Sequence, residues 1–148
     1  MARRVHLVAG VLATMIIAAF FISSILVELF GSSQHIQQVK ALIVVPGLLL
    51  LVPAIAATGG SGFYLGRTRK GRLVNVKRKR MPFIAANGIL VLVPSAIFLN
   101  RWAASGQFGA SFYVLQVIEL AAGAINLTLM GLNIRDGMRM SGRFRQSA

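Results

Sequence analysis

Four long apolar stretches divide this chain, and almost every Lys and Arg falls in alternate gaps between them. Arg3 and Arg4 precede the first stretch. Arg67, Arg69, Lys70, Arg72, Lys77, Arg78, Lys79 and Arg80 lie between the second and third. Arg135, Arg139, Arg143 and Arg145 follow the fourth, so 14 of the 16 basic residues sit on one side of a four-span pattern. Only Lys40 and Arg101 fall in the other two gaps. Basic residues concentrate in cytoplasmic loops of membrane proteins. The pattern therefore predicts an all-α polytopic membrane protein with both termini cytoplasmic, in a bacterial inner membrane. The spans fall at about residues 5–30, 41–65, 82–100 and 111–133 of a single membrane domain. Each has the length of about 18 residues or more that a hydrocarbon core demands. Isolated strands cannot satisfy their backbone groups in lipid, so helices are the reading. Short connections predict an up-down four-helix bundle.

Composition sharpens this. Charged residues make up 13% of the chain and mean hydropathy is +0.73. A soluble domain carries about 25% charged residues. The net charge of +13 is confined to the loops, so nucleic acid is not the expected partner. Anionic lipid headgroups are, chiefly at the basic loop 67–80. The absence of cysteine excludes disulfides, thiolate metal sites and covalently attached c-type haem. Met1-Ala2-Arg3-Arg4 before an apolar run resembles a signal peptide, but the run is too long for one. It reads as an uncleaved first span.

Within the spans, prolines and polar residues stand out. Pro46 and Pro53 are seven residues apart and predict kinks on one face of span 2, beside which a cavity is a possible consequence. Pro94 interrupts span 3, and Pro82 is expected in that span's first turn, where its missing N–H costs nothing. Thr58-Gly59-Gly60-Ser61-Gly62 near the end of span 2 reads as a close-packing or helix-breaking run.

An ionisable residue inside a membrane is a functional hypothesis by default. Glu28 lies near the outer end of span 1, and Glu119 is about 12 Å into span 4 at 1.5 Å per residue. Gln116, Glu119, Gly123, Asn126, Met130 and Asn133 recur every three or four residues as one stripe. His6, Gly10, Thr14, Ile17, Phe21, Ser24 and Glu28 make a matching stripe on span 1, and span 3 adds Asn87. Such stripes face the bundle interior, a partner subunit or water. Glu119 is expected to be protonated and hydrogen-bonded unless Arg101 or Lys40 reaches it. Asp136 is expected to form a solvated pair with Arg135.

The two histidines, His6 and His35, lie at opposite ends of span 1 and cannot ligate one haem within one chain. A His/Met haem b site remains open, with His6, His35, Met81 and Met130 as candidate ligands. No catalytic triad, paired surface carboxylates or dinucleotide motif appears, so an enzyme is the less expected outcome.

Glu28-Leu29-Phe30-Gly31, Arg80-Met81-Pro82-Phe83-Ile84-Ala85 and Leu132-Asn133-Ile134-Arg135-Asp136-Gly137 resemble small proteobacterial inner-membrane proteins with four spans, a resemblance that implies no activity. The chain is similar to small multidrug transporters in having four short spans and a glutamate in the first. Their glutamate is mid-span, and their dual-topology members have a weaker charge bias. Haem-b four-helix cytochromes are similar in size, but this chain lacks their paired intramembrane histidines. The leading functional expectation is an accessory or assembly subunit of a larger membrane complex, such as a respiratory one, with a protein partner or a second copy. The alternatives are a haem-b electron-transfer protein and a small proton-coupled carrier using Glu119.

Overall fold

The computed structural model describes residues 1–67 and 71–140. They form four helical rods, each long and apolar enough to cross a membrane. The first rod is α1 (Ala2–Phe30). The second joins α2 (Ser33–Leu42) to α3 (Leu49–Gly66) through a π-helical stretch, Ile43–Leu48. The third joins α4 (Arg72–Asn87) to α5 (Val93–Ala104) through a second π-helical stretch, Gly88–Leu92. The fourth is α6 (Ala110–Met140). Below, the end carrying Arg4 and Arg80 is called the basic end, and the opposite end, carrying Ser32 and Gly106, the far end.

The rods close into a ring. The first packs against the second along α3, and against α6. The third packs against α6 along both α4 and α5, and the ring closes at the far end where α2 meets α5. Closure depends on the bend in the second rod. Val45 leaves helical geometry at φ −134°, ψ 115°, the extended region into which a following proline pushes its neighbour. The Val45–Pro46 peptide is cis. The bend sends α3 along α1 and α2 toward α5. At the bend α1 comes so close that a Cβ on Gly47 would stand 2.5 Å from the Phe20 ring.

Several boundaries differ from the sequence reading. The polar segment 34–40 is not a loop. It is the start of the second rod, because Ser32 caps it: the Ser32 hydroxyl accepts from the His35 N–H, and His35 Nδ1 accepts the Ser32 N–H at 3.3 Å. This reciprocal arrangement satisfies two otherwise orphaned donors. The basic segment is helical from Arg72 onward, so Pro82 lies inside α4 and not in its first turn. Arg69 and Lys70 lie outside the described residues. Gly71 starts α4 at φ 141°, ψ 161°, a conformation only glycine adopts readily. Of the two prolines in the second rod, only Pro46 sits at a backbone break, and Pro53 is absorbed in continuous helix. Pro94 follows the second π-helical stretch, which accommodates the hydrogen bond it cannot make. The glycines from Gly59 to Gly62 remain helical within α3.

Packing is what a lipid-solvated bundle requires. No more than 28% of any of the four apolar windows is buried inside the molecule. Leu12, Met15, Ile22, Leu49, Leu90, Val114 and Val117 point outward. The interior holds two apolar clusters. One, toward the basic end, is Ala13, Ile17, Leu51 and Ala54, joined by Phe20, Leu48, Leu127 and Met130. The other, at the far end, is Ile36, Leu99, Ala103 and Phe112, joined by Val27, Trp102, Phe108 and Leu115. By helix register, the polar centre lies between them.

Candidate functional site: an ion pair enclosed between two apolar layers

Lys40 is among the largest fully buried side chains of the described residues. Its ammonium donates to Glu119 Oε2 at 2.8 Å and to the Ser24 hydroxyl at 3.3 Å. Gln116, one turn before Glu119 on α6, donates its amide to the same Oε2 at 3.1 Å. The cap at Ser32 sets where α2 begins and so sets the turn on which Lys40 arrives. The bend at Val45 swings that turn into the bundle.

The third ionisable group is Glu28, one turn beyond Ser24 toward the far end. Its carboxyl lies within electrostatic range of both Lys40 and Glu119. Glu28 is half-exposed, yet its Oε1 atom is buried and accepts no hydrogen bond. Gln116 Oε1 is likewise buried without a donor. Because α1 and α6 run in opposite directions, Glu28 and Gln116 are each one turn farther along their helices toward the far end than Ser24 and Glu119. The centre thus contains two carboxyls, one ammonium and two acceptors lacking donors. A buried ion pair is tolerated only when its remaining hydrogen-bonding capacity is met.

The remaining polar residues of the stripes are also turned inward. The Asn87 amide donates to Asn126 Oδ1 and to the Ala122 carbonyl, both at 2.9 Å, and Asn126 donates to the Ile84 carbonyl at 3.3 Å. Asn133 donates to Met81 Sδ at 3.6 Å. At the basic end Asp136 is buried, contrary to a solvated pair with Arg135. Its closer partner is Arg80 at 2.8 Å, with Arg135 at 3.5 Å. Arg101, the other cation of the far-end gaps, is exposed and does not reach Glu119.

The candidate haem ligands are scattered. His35 caps α2 at the far end, and Met130 joins the apolar cluster near the basic end. His6 and Met81 do approach one another: both come within 4 Å of where a Cβ on Gly62 would stand. They pack on the α3 backbone there and do not flank a slot for a macrocycle. His6 Nδ1 lies 3.0 Å from the Thr58 carbonyl and 3.2 Å from the Ser61 hydroxyl. Among the described residues no three His, Cys, Asp or Glu side chains are grouped to hold a metal ion.

The basic segment is partly committed to the protein itself. Arg80 holds Asp136, Arg78 donates to the Gly66 carbonyl at 2.8 Å, and Arg67 lies 4.9 Å above the Phe63 ring. Lys77 approaches Gly137 of α6. Arg72 and Lys79 are exposed.

Comparison with protein-family models, curated proteins and solved structures gives no match.

Lys40 is the group whose importance is least visible in the sequence. The available signal is its position: a single lysine five residues after a Ser-x-x-His cap, on a helix whose other buried residue, Ile36, is four residues earlier.

Proposed function

We propose that the protein is a small proton-coupled carrier of a bacterial inner membrane, with Glu28, Lys40 and Glu119 as its proton-handling centre. One observation carries the reading: two carboxyls and one ammonium share one site, Lys40 fully buried and Glu28 half-exposed at its edge. Fully ionised, they would leave one negative charge uncompensated beside a low-dielectric interior, which is costly. One proton restores neutrality. Half-exposed Glu28 is the member that meets the outside, and its orphaned Oε1 is where that proton resides. Glu119, held by Lys40 and Gln116, responds when Glu28 gains or loses it. The alternation of basic segments supports cytoplasmic termini, with the far end and Glu28 toward the external leaflet. Exposed basic residues of α4, Arg72 and Lys79 among them, meet anionic headgroups on the other side.

The expected need for a partner subunit rested on polar stripes seeking contacts. Here Asn87, Asn126 and Ser24 find those contacts within the chain. A self-contained carrier accords with this better than an accessory subunit does.

The test is proton movement in proteoliposomes under an imposed pH gradient, followed with an entrapped pH-sensitive dye. The wild type should carry protons, whereas Glu28→Gln, and Glu119→Gln combined with Lys40→Met so that no unpaired charge stays buried, should assemble but not carry them. A chain that is silent in liposomes and co-purifies stoichiometrically with a larger membrane protein in mild detergent is an accessory subunit, and the carrier reading fails.

A further inference from the structure

An apolar groove runs between α1 and α3 on the outer surface of the bundle, at its basic end. Its lining is Val5, Val8, Leu12, Leu50 and Pro53, over a floor that includes Ala54 and Ala57, with Arg4 at its mouth. From Arg4 to Leu12 it follows α1 for about 12 Å at 1.5 Å per residue. The small alanines make the depression, and Pro53 forms part of its edge.

Arg4 is what distinguishes this groove from a plain irregularity. The guanidinium is exposed, and no partner for it occurs among the described residues. The sequence has three acidic side chains. Glu119 is taken by Lys40, Asp136 by Arg80 and Arg135, and Glu28 stands at the opposite end of α1. Among the described residues no acidic side chain is left to pair with Arg4. The groove therefore offers an unneutralised cation to an anion from outside.

We propose that this groove is a binding site for one anionic phospholipid of the basic-side leaflet, an acyl chain lying along Val8, Leu12 and Leu50 and the phosphate on Arg4. Arginine suits the role, because its planar fork matches phosphate oxygens. The site is separate from the ionic centre, so its fate in experiment is independent of the carrier reading.

The test is native mass spectrometry of the full chain released from detergent micelles doped with palmitoyl-oleoyl phosphatidylglycerol or the matching phosphatidylcholine. The wild type should retain one phosphatidylglycerol about five-fold more strongly than phosphatidylcholine, the equivalent of about 1 kcal/mol for one basic residue at an anionic surface. Arg4→Gln should reduce phosphatidylglycerol to the phosphatidylcholine level. Ala57→Phe, an exposed position that fills the floor, should reduce both lipids while leaving the melting temperature unchanged. Arg139→Gln, a basic residue away from the groove, should change neither. Equal retention of the two lipids by the wild type would mean ordinary lipid solvation and overturn the proposal. So would equal losses in Arg4→Gln and Arg139→Gln, which would mean diffuse charge attraction, or full retention by Ala57→Phe.

Discussion

Lys40 shows how strongly one side chain depends on its counterpart. Removing the ammonium leaves Glu119 buried without its cation. Breaking a buried pair from one side costs about 3–5 kcal/mol, whereas replacing both members with neutral groups is often harmless. Lys40→Met is therefore expected to lower the melting temperature in detergent sharply, and Lys40→Met combined with Glu119→Gln to recover most of it. If the two losses simply added, the contact would not be an energetic unit. A weaker coupling is expected between Asn87 and Asn126. Hydrogen bonds between membrane helices average about 0.6 kcal/mol, so each alanine variant should be mild and the double variant less than additive. Glu119 and the stripe around it are readable from the 3–4 spacing alone. Lys40 is not, because hydropathy assigns a lysine before an apolar run to the membrane surface, and only the cap and bend carry it inside.

At the level of the element, the second rod decides the architecture. Its start depends on the Ser32–His35 cap. Losing such a cap costs about 1 kcal/mol. Ser32→Ala should accelerate amide exchange across the first turn of α2, measured by hydrogen–deuterium exchange in detergent, while α6 is unaffected. Its middle depends on close approach to α1. A side chain at Gly47 would collide with Phe20, whereas Gly60 has nothing within 4 Å of its would-be Cβ. The two substitutions should differ in sign: Gly47→Ala destabilises, and Gly60→Ala stabilises by up to about 1 kcal/mol through helix propensity. Thermal melts of the two variants side by side check this, and equal shifts would argue against the crossing. The extension of α4 back to Arg72 was not legible, because eight basic residues in fourteen look like a solvated loop. Their partners, Gly66 for Arg78 and Asp136 for Arg80, come from distant parts of the chain.

For the whole molecule, the question of orientation follows from charge. With 14 of 16 basic residues in alternate gaps of the sequence, the basic end should face the cytoplasm. The chain contains no cysteine, so single-cysteine variants report without background. Ser33→Cys at the far end should react with a membrane-impermeant maleimide in whole cells, and Asn75→Cys in α4 only after lysis. The reverse pattern would turn the molecule over, and with it the side that Glu28 faces. The two apolar clusters isolate the ionic centre between them. By helix register, the nearer one separates it by several turns from the His6–Thr58–Ser61 contacts at the basic end. On the carrier reading proposed above, a proton passing through would have to cross that layer.

The sequence by itself determined four apolar helices, a charged end and the faces that are turned inward. Those properties follow from local quantities: the length of an apolar run, the spacing of polar residues on a helix, and the side on which cations accumulate. Tertiary structure alone decided that Lys40 and Glu119, separated by 79 positions, form one pair, and that Asp136 is held chiefly by Arg80 and not by its neighbour. It also decided that Arg4 stands at a groove with no acidic side chain of the described residues to meet it. Such pairings depend on where helices bend and cross, and a short periodicity carries no record of that.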